Sequence, residues 1–159
     1  MTAEELAHSS IIPATIVRGH RVASGLNGNP RFPGGTLRMQ QPFFLERGLD
    51  LSPFHLGTLN ISIAPLSYRV LTPKLTFRSV KWHPIEPAED FSFFDVRLRR
   101  DGSPTIAGLI YYPHPDTKPE HFQSADVLEL LLPWTDQLAY GLRIEIAVPE
   151  AQMQFAITS

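Results

Sequence analysis

Fifteen prolines and ten glycines are spread along the 159-residue chain, and they leave little room for a long helix. Proline inside a helix removes a main-chain donor and crowds the preceding turn, while glycine there carries an entropic cost. The segments between them are rich in β-branched and aromatic residues, which suit a pleated, half-buried surface. A mainly β domain follows, with one or two short helices. With 43% hydrophobic residues the chain can bury one core, but it is too short for two comfortable domains. No apolar run is long enough to span a bilayer, so no membrane partner is expected. The acidic first ten residues lack the basic start of a secretion signal. The absence of cysteine removes disulfides, thiol catalysis and thiolate metal sites. Together these features predict a cytoplasmic protein. A net charge of -2 argues against a general nucleic-acid footprint. Lysine occurs only at Lys74, Lys81 and Lys118. The other basic residues are arginines, whose planar fork suits phosphate, although an arginine-rich codon usage gives the same skew.

Along the chain, residues 1–10 read as a short helical or frayed arm and 11–23 as the first strand. Residues 24–35 read as a loop of tight glycine turns. A short helix is expected within 36–48, started late by Pro42 and buried through Phe43, Phe44 and Leu45. Strands are expected from Thr58, from Val70, over 74–82, over 91–99 and over 105–112, the last two joined by an Asp101-Gly102 turn. Residues 127–132 fit a strand or a helix equally by pattern. Trp134 to Tyr140 predicts about two helical turns, ended by Gly141. The alternation of Leu142, Ile144, Ile146 and Val148 predicts a strand, and 152–157 an edge strand. Short strands with turns between them predict a sandwich or a small barrel. Trp82, Trp134, Phe91, Phe93 and Phe94 are expected in its core.

The stretch with most chemical content is Gly57-Thr58-Leu59-Asn60, opening the run Ile61-Ser62-Ile63. On a strand, Leu59, Ile61 and Ile63 face one way and Thr58, Asn60 and Ser62 the other. A hydroxyl and an amide oxygen then stand two residues apart on one face. Neutral oxygens suit a hard cation such as Mg2+, which keeps few protein ligands and leaves room for phosphates and water. A hairpin turn leading into a half-exposed strand accounts for the same pattern.

Four blocks, in order, resemble the archaeal CTP-dependent riboflavin kinases. They are Gly19-His20-Arg21-Val22-Ala23-Ser24-Gly25-Leu26; then Gly48-Leu49, Pro53 and Gly57-Thr58-Leu59-Asn60. Next come Ile110-Tyr111-Tyr112-Pro113 with Ser124-Ala125-Asp126-Val127-Leu128-Glu129-Leu130, and last Leu131-Leu132-Pro133 with Leu138, Gly141 and the strand after it. The resemblance implies a six-stranded cradle-loop β-barrel over 16–149, an N-terminal arm over 1–15 and a C-terminal extension over 150–159. It implies transfer of the γ-phosphoryl group of CTP to the ribityl 5′-hydroxyl of riboflavin, giving FMN and CDP. Thr58 and Asn60 would hold Mg2+. Ser24, Gly25, Leu26, Asn27, Gly28 and Asn29 would wrap the nucleotide phosphates, and Trp134, Thr135, Asp136 and Gln137 would make further nucleotide contacts. Glu129 would stand beside the flavin and orient or deprotonate its hydroxyl, with Thr117 or His121 as a second flavin-side residue. Neither nucleic acid nor membrane enters as a partner, and oligomeric state is not legible.

The loop departs from the family's usual Gly-Leu-Gly-Glu-Gly. Asn27 and Asn29 stand where glycines are usual, Pro30 lacks an N–H donor, and Pro33-Gly34-Gly35-Thr36 has no counterpart. A non-catalytic flavin- or nucleotide-binding barrel is therefore the second reading, and a protein- or DNA-binding barrel a more remote third. His114 and His121, with Asp116 and Glu120 between them, contain metal-ligand types without a recognised spacing. Asp126 and Glu129 would share a face only on a helix. The chain has no Gly-x-Ser-x-Gly elbow and no P-loop.

Overall fold

A computed structural model describes residues 1–19, 35–118 and 124–158. Among them nine strands and two short helices form a mainly β fold. Helix α1 (Ala3–Ala7) is closed by a capping box between Thr2 and Glu5, and β1 (Ser9–Val17) follows it. Helix α2 (Thr36–Glu46) precedes β2 (Leu59–Ser62), β3 (Leu66–Val70), β4 (Leu75–Val80) and β5 (Glu89–Arg99). The remaining strands are β6 (Ile106–Pro113), β7 (Val127–Leu131), β8 (Arg143–Pro149) and β9 (Met153–Ile157).

Six strands close on themselves in the order β5-β6-β7-β2-β1-β8, each pair antiparallel, with β8 returning to β5. The long strand β5 makes this closure possible. Its whole length pairs with β6 on one edge. On the other edge its first half pairs with β4 and its last residues, Arg97 to Arg99, pair with β8. The period-2 pattern decides what lies inside. Ile12, Ile146 and Leu98 stand opposite one another across β1, β8 and β5, and Phe94, Ile110 and Leu130 across β5, β6 and β7. These residues and their neighbours Ile16, Ile61 and Leu128 form the interior core.

A second core lies on the outer face of β5, β6 and β4, where α2 packs. Phe44 is its centre, with ring centroids 5.0 Å from Phe91, 5.3 Å from Phe93 and 5.9 Å from Phe77. Both faces of β5 are thus covered, which explains its nearly continuous burial. Outside the ring, β3 and β9 pair with each other as a ribbon, Tyr68 opposite Phe155. No helix among the described residues is long and apolar enough to cross a membrane.

Several expectations are revised. The ring begins at Ser9, within the stretch assigned to the arm. Helix α2 contains Pro42 rather than starting after it, and it buries Thr36, Leu37, Gln40 and Phe44 while leaving Leu45 exposed. Its anchors flank the proline, so the donor missing at Pro42 falls where packing holds the helix anyway. A strand ends at Val70 instead of beginning there. Residues 127–131 form a strand. The helix expected from Trp134 to Tyr140 does not form. Gln137 has φ 66° and Gly141 φ 89°, both left-handed, and the Gly141 N–H donates to Ile16 O at 2.8 Å. Seven residues without a buried apolar face cannot hold a helix against those turn contacts. Trp134, expected in the core, is 74% exposed, whereas Trp82, Phe91, Phe93 and Phe94 are buried.

Candidate functional site

The outward face of β2 carries Thr58 at its start and Asn60 within it. Strand β7 lies antiparallel beside it, and the register sets Glu129 directly opposite Asn60. Opposite residues in an antiparallel pair share a face. Thr58 Oγ1 donates to Glu129 Oε1 at 2.9 Å, joining residues far apart in the chain. With its hydrogen directed at the carboxylate, the Thr58 hydroxyl keeps its lone pairs for another ligand. Asn60 is buried at 8% exposure. Its amide lies against Gly19, just beyond the end of β1, so closely that a β-carbon at position 19 would overlap it. Glycine there makes the space that Asn60 occupies.

The row continues onto β6, where Tyr111 pairs with Glu129. Tyr111 Oη donates to Gln40 Oε1 at 2.7 Å, and Thr36 also hydrogen-bonds the phenol. The first turn of α2 is thereby fixed to the outer face of β6. Burial pushes the Tyr111 phenol well above its ordinary pKa, and the charges of Glu129 and Glu89 push the same way. Tyr111 stays a neutral donor.

The site's donors are a hydroxyl, an amide oxygen and a carboxylate, all hard oxygens, and this set fits Mg2+ that keeps phosphate and water in its remaining positions. Among the described residues no group of three or more His, Asp and Glu is placed to hold a metal ion. Asp126 accepts from the Ser124 hydroxyl ahead of β7 and does not share a strand face with Glu129, so no carboxylate pair forms.

Other expected residues fall as follows. Ser24, Gly25, Leu26, Asn27, Gly28, Asn29 and His121 lie outside the described residues. Trp134 projects outward with its ring centroid 5.1 Å from that of His55, three residues before Thr58 in the chain. The Thr135 hydroxyl donates to Pro133 O, and Asp136 O accepts from Arg100 Nη1 at 2.9 Å. Gln137 takes the left-handed turn noted above. Thr117 Oγ1 accepts from the Asp90 N–H at 2.8 Å and donates to His114 O at 3.3 Å, which ties it to the start of β5 rather than to Glu129. His114 Nε2 lies 2.6 Å from Ser92 Oγ. Burial and Arg78 hold its pKa down against the opposing pull of Asp90 and Asp116.

Beside Glu129 an open groove runs between β6 and β7, walled by Tyr68, Tyr112, Pro115, Lys118 and Val127. The sequence gives no signal for Tyr68 or Lys118. No protein-family model matches the chain, and no curated protein matches it in sequence.

Proposed function

We propose that the protein transfers the γ-phosphoryl group of CTP to the 5′-hydroxyl of riboflavin, giving FMN and CDP in the cytoplasm, with Mg2+ held by Thr58 and Asn60. The observation that carries this reading is the 2.9 Å hydrogen bond from Thr58 to Glu129 with Asn60 opposite in the register. Two segments distant in sequence, each resembling a different block of the kinase family, meet in one row of oxygen-bearing side chains. The groove next to Glu129 supports a neighbouring acceptor site.

Phosphoryl transfer asks a protein mainly to position the reactants and to stabilise charge. The chemistry a bound Mg2+ supplies is neutralisation of the triphosphate oxygens. Thr58 presents its lone pairs because its proton is committed to Glu129. Asn60 presents its amide from a buried, Gly19-backed position. Glu129 is held by Thr58 at the mouth of the groove, where its carboxylate accepts the hydrogen bond of the acceptor hydroxyl and orients it for attack. Tyr111 and Gln40 keep the face behind Glu129 rigid.

The test is incubation of the chain with riboflavin, Mg2+ and either CTP or ATP, followed by chromatography for FMN. FMN formation with CTP, lost on adding a chelator, is expected. No FMN with either nucleotide removes the enzyme. A flavin- or nucleotide-binding barrel without turnover is the second reading, favoured by Asn27, Asn29 and Pro30 in the loop. Calorimetric binding of CTP or riboflavin without product supports it.

A further inference from the structure

The pairing of β6 with β7 stops at Tyr111 opposite Glu129, although β6 runs on to Pro113 and β7 begins at Val127. Beyond that point the strands no longer pair with each other, and the groove lies between them. Tyr68 reaches its wall from outside the ring. The Tyr68 N–H donates to Ala125 O at 2.9 Å, and its strand is zipped to β9 from Leu66 to Val70. The Tyr68 ring meets Tyr112 edge to face, with centroids 5.9 Å apart at 89°. Tyr112 in turn lies 5.4 Å from the His114 ring. Tyr68 and Tyr112 are both half-buried, so each keeps part of its surface open. The groove therefore has a preset aromatic wall on one side, the edges of two separated strands along it, and Lys118 and Glu129 as its charged residues. Flat heteroaromatic rings with amide-like donors and acceptors along one edge match that combination.

We propose that Tyr68, carried by the β3–β9 ribbon, is a specificity-determining residue that packs against the planar ring system of the phosphoryl acceptor. This rests on the reading of the acceptor as a flavin, but it concerns recognition of the rings and not the transfer. The ribbon then has a role beyond covering the core. β9 holds β3, and β3 sets the angle of the tyrosine.

Riboflavin fluorescence, titrated with the full chain in the absence of nucleotide, reads this contact directly. The wild-type chain is expected to quench it. Tyr68→Leu should raise the riboflavin Kd about tenfold, the scale of one lost aromatic contact. Tyr68→Phe keeps the ring and should stay close to wild type. In the turnover assay Tyr68→Leu should raise KM for riboflavin and leave KM for CTP and kcat unchanged. Thermal melts accompany each variant, and Tyr68→Met replaces the leucine variant if β3 is disturbed. Unchanged riboflavin affinity in a folded Tyr68→Leu or Tyr68→Met variant overturns the proposal, even if FMN is made. So does a Tyr68→Phe variant as weak as the leucine one, or a wild-type chain that does not quench. Quenching that is lost with Tyr68 while no FMN forms supports Tyr68 and overturns the kinase instead.

Discussion

Gly19 and Asn60 show how narrowly the oxygen cluster is specified. A methyl group at position 19 would overlap the Asn60 amide, which is buried between β1 and β7 and has little room to turn. Gly19→Ala is expected to swing that amide out of line and weaken the dependence of turnover on Mg2+ by about tenfold or more, as loss of a supporting contact does in metal sites. The fold should persist, because the clash is with a side chain and not with main chain. A magnesium titration of the rate, run beside a thermal melt, checks both halves. Thr58→Ala with Asn60→Ala removes the two proposed ligands and should reduce turnover at saturating Mg2+ by roughly 100-fold. If the double variant loses its melting transition as well, the pair is structural. That Thr58 and Asn60 share a strand face was legible, because a period-2 pattern marks which side chains lie together, whereas Glu129 stood out only through the order of its block and meets them through the β2–β7 register. Tyr68 was not legible. Its groove exists only where β6 and β7 part, and its strand is placed by β9 at the other end of the chain, which no local pattern encodes.

Helix α2 illustrates why elements were harder to read than faces. Its place within 36–48 was expected, but its start before Pro42 and its buried side were not, since three consecutive apolar residues at 43–45 cannot all face one way on a helix. The side actually buried runs through Leu37, Gln40 and Phe44, mixing an amide into an apolar row because Tyr111 waits beneath it. Phe44→Ala opens a cavity among Phe77, Phe91 and Phe93 and should cost about 3–5 kcal/mol in a denaturant titration. A loss below 1 kcal/mol would mean that α2 is not anchored there. Gly108 makes the complementary case on β6. A β-carbon at that position would overlap the Leu131 carbonyl and the Leu132 side chain, so Gly108→Ala pushes β7 away from β6. We expect a loss of about 1–3 kcal/mol, the usual range for overpacking. Strands such as β8 could be read directly, because alternation there matches burial on one face. The segment from Trp134 to Tyr140 could not, because its contacts are made by Ile16 on β1 and by Arg100 just past the end of β5.

Across the whole molecule, one buried carboxylate adds a polar tie between the ring and the ribbon. Asp95 lies on the outer face of β5, at 4% exposure. Its Oδ2 accepts from Gln152 Nε2 at 2.9 Å, its own N–H donates to Gln152 Oε1 at 2.8 Å, and Lys74 Nζ donates to Oδ1 at 2.9 Å. Gln152 immediately precedes β9, and Lys74 immediately precedes β4. β5, its ladder partner β4 and the ribbon strand β9, which that ladder does not reach, thus meet at one side chain. Burial alone would raise the Asp95 pKa, but the Gln152 and Lys74 hydrogen bonds and the nearby positive charges outweigh it and hold the carboxyl below its ordinary 3.8. A carboxylate whose folded pKa is depressed binds its proton more readily in the unfolded chain. Its contribution is therefore complete above the ordinary carboxylate value and is lost as pH falls through the lower, folded one. The wild-type chain should lose stability on acidification below about pH 4. Asp95→Asn should be about 1–3 kcal/mol less stable at pH 7, the scale of hydrogen bonds to a charged group, and should show a shallower acid limb. Denaturant titrations of both chains from pH 7 down to pH 2.5 decide it. Parallel acid limbs would show that Asp95 carries no linkage, and equal stability at pH 7 would show that the ribbon is held to the ring without it.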